Sequence, residues 1–336
     1  MLNIKNIGKK VIFCTILNFI FFSVNAQIKW INLDSLYQPL PSSFHIYKSS
    51  DSLDEKPNVM YYAVADIKDE NLKFTTDTTY KRRLTPTQFY KKNKEPLLVV
   101  NCSFFSFATN QNLNIVVKDG KIVSYNEETV PAKGYDTLTY FHSFFGALGI
   151  SKKRKADVVW IYTDSSKRYP YASEFALPSI HDSIANPTLE YILQNTSIVA
   201  GEGGNSSNSF SKWKMQTVIG GGPVLLQNGE INISNNYERK FAGKAMYNHE
   251  PRTAIGYTKD NKLIILVCEG RSKKASGLTL IQLAQIFKGL GCVEALNLDG
   301  GGSSCMLING KETNDPSSGG LQRPVPSVFL IEKKAR

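Results

Sequence analysis

In this 336-residue chain an aspartate runs directly into three glycines and two serines, at Leu298-Asp299-Gly300-Gly301-Gly302-Ser303-Ser304. Glycines accept positive φ and let the main chain approach a ligand closely. Consecutive amides can therefore converge on an anion beside a carboxylate able to do acid or base chemistry. The same string also suits a tight turn between strands, and its surroundings decide how to weigh the two. Val293 to Leu298 reads as a short apolar strand ending at the acid, and Cys305 to Ile308 resumes as a strand that turns at Asn309-Gly310. A loop at a strand end is held by a rigid sheet, where functional loops concentrate.

The element before it is the clearest in the chain. Thr279-Leu280-Ile281-Gln282 is a capping box, Leu280, Leu283, Ala284, Phe287 and Leu290 share one helical face, and Gly291 stands where a left-handed cap is wanted. A strand from Leu263 to Cys268, ending in Glu269-Gly270-Arg271, precedes this helix. Strand, helix and strand normally make a parallel pair joined by a right-handed crossover. Parallel strands end on one edge, so Glu269 and Arg271 are expected on the same rim as Asp299, where ligands bind in open α/β sheets.

β-like segments also recur from Val59 to Ala65, Leu97 to Val100, Leu113 to Val117, Phe144 to Ile150, Val158 to Tyr162, Val218 to Ile219 and Val224 to Leu226. The fold class expected is α+β, a mixed and largely β-sheet core with a β-α-β unit at the C-terminal side. The stretch from Tyr169 to Trp213 breaks the rhythm with three prolines, a short helix around Leu189 to Gln194 and a polar tract from Gly201 to Asn208, and reads as a surface excursion.

Residues 1–26 read as a secretory leader: Lys5, Lys9 and Lys10 precede the apolar run Val11 to Phe22, and small residues lead up to Ala26. The apolar run is short for a membrane span, so a secreted or periplasmic protein without stable membrane insertion is expected. Residues 27–56 then form an N-terminal extension and residues 57–336 the main domain. Removing the leader lowers the formal net charge from +11 to +8. The cations are scattered apart from Lys152 to Lys155, read as a solvated turn, so no nucleic-acid partner is expected; the balance suits an anionic substrate. Cys102, Cys268, Cys292 and Cys305 read as free or buried thiols, with a disulfide from Cys268 to Cys292 or Cys305 as the alternative.

Four segments stand out in order: Asn101-Cys102-Ser103-Phe104-Phe105, Gly220-Gly221-Gly222-Pro223, Pro251-Arg252-Thr253-Ala254 and the unit from Glu269-Gly270-Arg271 to Ser304. Their order and character resemble the phosphodiester glycosidase family over roughly Pro96 to Ile331. The resemblance implies hydrolysis of a sugar-1-phosphodiester with release of the sugar. Carried over by position, it implies Asp299, Glu269, Arg252 and Arg271 as catalytic residues. It further implies Asn101, Phe105, Gly221, Gly222, Gly300, Gly301, Gly302, Ser303, Ser304, Asn314 and Arg323 around a phosphorylated carbohydrate. Aspartate is more usual in the family where Glu269 stands, so the charge type is kept and the reach changed by one methylene.

Residue chemistry is compatible with that reading. A phosphate monoester departs readily from an anomeric carbon, and two carboxylates serve an oxocarbenium-like transition state, one as nucleophile or base and the other as acid or electrostatic support. A planar guanidinium binds two phosphate oxygens at once. No cofactor is expected; Asp299, Glu269 and Asp315 are the oxygen ligands that a hard cation such as Ca²⁺ or Mg²⁺ would use if one were needed. Cleavage of the P–O bond and non-catalytic binding of phosphorylated glycans are the alternatives.

Overall fold

A computed structural model describes residues 28–134, 136–199 and 210–334. The leader and the Gly201 to Asn208 tract lie outside the described residues. Strands dominate, arranged in sheets of eight, seven, five and three. In the eight-stranded sheet the order is Ile31–Asn32, Phe44–Ser49, Met60–Asp66, Lys262–Cys268, Arg252–Thr258, Cys292–Asn297, Val224–Gln227 and Glu230–Ile231, every neighbour antiparallel.

This sheet is covered on both faces, which is why its central strands read as continuous apolar runs rather than alternating ones. Ala254, Ile264 and Leu266 face the helix Leu280–Gly289 and pack with Leu280, Leu283 and Phe287. Ile255, Ile265 and Leu296 face the other way and pack with Trp160, Leu148, Val100 and Phe329 of the seven- and five-stranded sheets. The helix closes its N-terminus as expected: the Thr279 hydroxyl accepts from the Gln282 N–H at 3.1 Å, and the Gln282 side chain accepts from the Thr279 N–H at 3.0 Å. Gly291 follows at φ +79°.

The strands Lys262–Cys268 and Cys292–Asn297 run in the same direction, yet they do not pair. The strand Arg252–Thr258 lies between them, antiparallel to both, with Arg252 opposite Cys268 and Ala254 opposite Asn297. The shared rim follows all the same: Glu269 and Asp299 leave the sheet at the edge where Arg252 enters it.

Residues 31–49, read as an extension, supply the two outer strands on one edge of the eight-stranded sheet, and Phe44 and Ile46 are fully buried in the main core. Their polar neighbours His45, Tyr47 and Lys48 mask the alternation. All four cysteines among the described residues are buried free thiols. Among those residues no helix is long and apolar enough to cross a membrane.

Replacing Thr279 by alanine removes one half of the capping box and should destabilise the fold by about 1 kcal/mol. Urea denaturation followed by circular dichroism measures it, and a change below a few tenths would show that the helix is held by packing alone.

Candidate active site

The Asp299 loop is fastened to the ends of two other strands before it presents any chemistry. The Asp299 N–H donates to the Cys102 carbonyl at 2.9 Å, and the Gly301 N–H donates to the Pro251 carbonyl at 2.8 Å. Asn101, last residue of the strand Leu98–Asn101 in the five-stranded sheet, donates from Nδ2 to the Asp299 carbonyl at 2.6 Å. Its Oδ1 accepts from the Thr253 hydroxyl at 2.9 Å and the Cys305 N–H at 3.2 Å. Asn314 does the same on the far side, donating to the Ser304 carbonyl at 3.0 Å and accepting from the Met306 N–H at 3.1 Å. Both asparagines are buried with these groups engaged, so they brace the loop from behind rather than reach toward a ligand.

The loop itself is a single 3-10 turn, Gly301–Ser303. The N–H groups of Ser303 and Ser304 donate to the carbonyls of Gly300 and Gly301 at 3.1 and 3.2 Å. With the Gly301 amide also engaged, the expectation of an open nest of amides gives way to a closed turn whose donors are largely used internally. The glycines serve close packing. A Cβ on Gly302 would stand 2.1 Å from an Arg323 guanidinium nitrogen and 2.3 Å from the Ser318 hydroxyl. Arg323 lies across the turn, with Nη1 3.4 Å from the Ser303 hydroxyl.

Two cations, the Ser303 hydroxyl and the Gly300 amide therefore act on the carboxylate. Burial pushes the Asp299 carboxyl up to about 6, while the Ser303 hydroxyl and the charges of Arg323 and Lys240 pull the other way. Its Oδ2 is buried and has no hydrogen-bond partner among the described residues. Such an oxygen is costly to leave unmade in a folded chain, and strongly perturbed acids of this kind cluster at functional sites.

Lys240 was not singled out by its sequence context. Its ammonium sits 3.7 Å from the Phe104 ring centroid and 5.0 Å from that of Phe145, and donates to Asn114 Oδ1 at 3.3 Å. Burial lowers it to about 8, with Glu238 and Asp299 acting in the opposite sense. Glu238 is a second buried acid of different character. It accepts from the Val224 N–H at 2.9 Å, the Gly146 N–H at 3.2 Å, the Trp160 indole at 3.1 Å and the Ser234 hydroxyl, so both oxygens are engaged.

Gly221 and Gly222 belong to that anchor. Their amides donate to the Gly146 and Asn297 carbonyls at 2.9 and 2.7 Å, and a Cβ on Gly222, at φ +126°, would fall 2.1 Å from a Glu238 oxygen. They shape the wall and offer no amide to a ligand. Phe105 is likewise corrected: it is buried among Phe89, Val99 and Leu307, while the preceding Phe104, on the opposite face of the chain, meets Lys240 and Phe241.

The other expected residues reach the rim with different partners. Arg252 is buried and donates to the Leu278 and Asn248 carbonyls, both at 2.9 Å; burial lowers it to about 10. Arg271 is exposed, pairs with Glu250 at 2.6 Å and lays its guanidinium beside Gly301. Glu269 accepts the Asp315 N–H at 2.9 Å; burial raises it, Asp315 adds to the rise, and Lys48 and Lys274 oppose it. Asp299, Glu269 and Asp315 do not converge: among the described residues no three acidic, His or Cys side chains are grouped to hold a metal ion.

A carboxyl raised in the folded state lowers stability once it ionises. The cost is absent below the ordinary value of 3.8 and present in full above about 6. Asp299→Asn should therefore be more stable than the wild type at neutral pH, by about 1–3 kcal/mol, and the two should converge in acid. Denaturation midpoints measured across that range test it; an Asp299→Asn chain that is less stable at neutral pH would contradict the electrostatics described.

Comparison with known proteins adds a family. Residues 181–332 match the family model described as phosphodiester glycosidase. An SPbeta prophage-derived uncharacterized protein YomE of Bacillus subtilis is 41% identical over 81 residues, which is 24% of this chain and 12% of that protein. The N-acetylglucosamine-1-phosphodiester alpha-N-acetylglucosaminidase of Mus musculus is 25% identical over 200 residues, 51% of this chain and 38% of the mouse protein. The chain thus spans well under half the length of these relatives. In structure, it is similar to the zebrafish N-acetylglucosamine-1-phosphodiester alpha-N-acetylglucosaminidase catalytic domain auto-inhibited by pro-peptide, with a TM-score of 0.58 and 19% identity over 92% of this chain and 89% of that one. The motifs around Asp299 and the match over residues 181–332, somewhat under half of the chain, support a likeness to the phosphodiester glycosidase family, and the zebrafish structure shows the same fold.

Proposed function

We propose that this chain is an exported hydrolase, secreted or periplasmic, that cleaves the glycosidic bond of sugar 1-phosphodiesters. The observation that carries the reading is the Asp299 carboxylate: one buried oxygen without a partner, placed within the fields of Arg323 and Lys240. An acid so placed is available for an electrophilic carbon, and two cations beside it suit the phosphate that such a carbon carries.

In this reading Asp299 acts at the anomeric carbon, by attacking it or by activating water. The C1–O bond breaks with its electron pair passing to the phosphate oxygen, and water supplies hydroxyl to C1 and a proton. The bridging oxygen gains charge as the bond lengthens, so fixed cations stabilise the transition state more than the bound diester. Lys240 and Arg323 are assigned that role. Arg271, already paired with Glu250, extends the positive rim outward, and Arg252 positions the start of its strand by gripping two carbonyls. Glu269 is the second carboxylate and contributes from the sugar side.

The names of the mouse and zebrafish relatives direct the choice of test substrate to N-acetylglucosamine 1-phosphodiesters. Hydrolysis in water enriched in heavy oxygen should label the sugar; label in the phosphate would overturn the reading in favour of P–O cleavage. Asp299→Asn should lower kcat/KM by about 10²–10⁴-fold, and Glu269→Gln by less. Ionised Asp299 with protonated Lys240 exists between about 6 and about 8, so kcat/KM should be bell-shaped with limbs near those values. Lys240→Met should erase the alkaline limb and lower the plateau about a hundredfold; an unchanged alkaline limb would exclude Lys240.

A further inference from the structure

Behind Phe145, whose ring faces Lys240, lies a concavity that this chemistry leaves unused. Its volume is about 480 Å³, a size typical of small-molecule sites. It opens between the strands Thr129–Pro131 and Tyr140–His142 and the turn carrying Glu238, Arg239 and Ala242. Pro131, Phe141 and Phe145 give its walls much apolar surface, and Lys133, Asp136 and Ser143 stand among them.

One wall is a stack of planar groups. The His181 ring lies parallel to Phe141 at 4.1 Å with an interplanar angle of 10°, and the Arg239 guanidinium lies 3.6 Å from the Phe141 centroid. Distances this short leave room only for opposite faces, so Phe141 is sandwiched and the guanidinium forms the outer layer. Arg239 is exposed and, among the described residues, has no carboxylate partner. It holds a left-handed backbone conformation, φ +50°, which costs a non-glycine residue roughly 1 kcal/mol. That turn sends three consecutive charged side chains to three places: Glu238 into its buried anchor, Arg239 onto Phe141, and Lys240 over Phe104.

Cavity and site share a wall. Phe145 lines the cavity and also lies 5.0 Å from the Lys240 ammonium. Glu238 and Arg239, which precede Lys240 in the chain, line the cavity as well, so a phosphate held at Lys240 has the cavity as its neighbour across Phe145.

We propose that this cavity is the leaving-group subsite of the phosphodiester and that it takes a planar aromatic group stacked on the Arg239 guanidinium. The inference rests on the placement of the reaction at Asp299 and Lys240. An unpaired guanidinium plane stacks well on an aromatic face. The apolar faces of Pro131, Phe141 and Phe145 suit a planar ring better than the hydroxyls of a sugar.

Calorimetric titration with phenyl phosphate and methyl phosphate tests the subsite without turnover. The wild type should bind phenyl phosphate about tenfold more tightly. Arg239→Asn, which tolerates the left-handed backbone and removes the guanidinium, should lose that preference while keeping its affinity for methyl phosphate. Ala132→Trp, which fills the cavity, should do the same. Equal or absent binding of the two esters by the wild type, or a preference retained in both variants, overturns the proposal. Hydrolysis separates it from the reading beneath it. Phenyl and methyl diesters of N-acetylglucosamine 1-phosphate cleaved with equal kcat/KM would sink the subsite and spare the activity. A phenyl preference in binding without any cleavage would sink the activity and leave the aromatic site standing.

Discussion

The contact on which this architecture turns is the hydrogen bond from Asn101 to the Asp299 carbonyl. Asn101 ends a strand of the five-stranded sheet, and Asp299 follows a strand of the eight-stranded sheet. With the Asp299 N–H donating to the Cys102 carbonyl, the two sheets are tied at the residue whose carboxyl keeps one oxygen unpartnered. Thr253, on the central strand of the larger sheet, closes the same knot through the Asn101 oxygen. Fixing backbone at both its N–H and its C=O leaves the Asp299 side chain little conformational freedom to lose on binding, which is the physical content of preorganisation.

Two buried acids a short way apart show how environment sets function. Glu238 is saturated by donors from four elements and serves as an anchor for the turn around it. Asp299 sits in a comparable dielectric yet keeps an oxygen unmatched. The difference lies in geometry, since the turn spends the Gly301, Ser303 and Ser304 amides on carbonyls and leaves the carboxylate the Gly300 amide and the Ser303 hydroxyl. Lys240 links the two, drawn by both negative charges against the cost of its own burial.

Much of this was legible in the residues. The capping box at Thr279, the strand preceding Asp299 and the rim shared with Glu269 follow from local patterns with strong physical causes. Other features depend on where distant segments meet. The strand Arg252–Thr258 inserts between two strands that the sequence suggested as partners, because pairing is decided by the whole sheet. The Phe44–Ser49 strand is hard to read since His45 and Tyr47 on one face and Lys48 beside Phe44 and Ile46 on the other blur the alternation. Lys240 sits in the run Glu238-Arg239-Lys240, which looks like a solvated turn; only the left-handed residue in its middle, invisible to periodicity, separates the three side chains. Phe104 and Phe105 exchange roles because one residue of register reverses the face of an extended segment.

The four buried thiols carry a consequence of their own. Burial drives Cys102 up to about 11 and the other three upward as well, so thiolate, the species that oxidants and alkylating agents attack, is scarce at neutral pH. None of the four forms a cross-link that oxidation would have to build. The described fold thus holds its strands together without a disulfide, and reaching any of these thiols requires the core to open first.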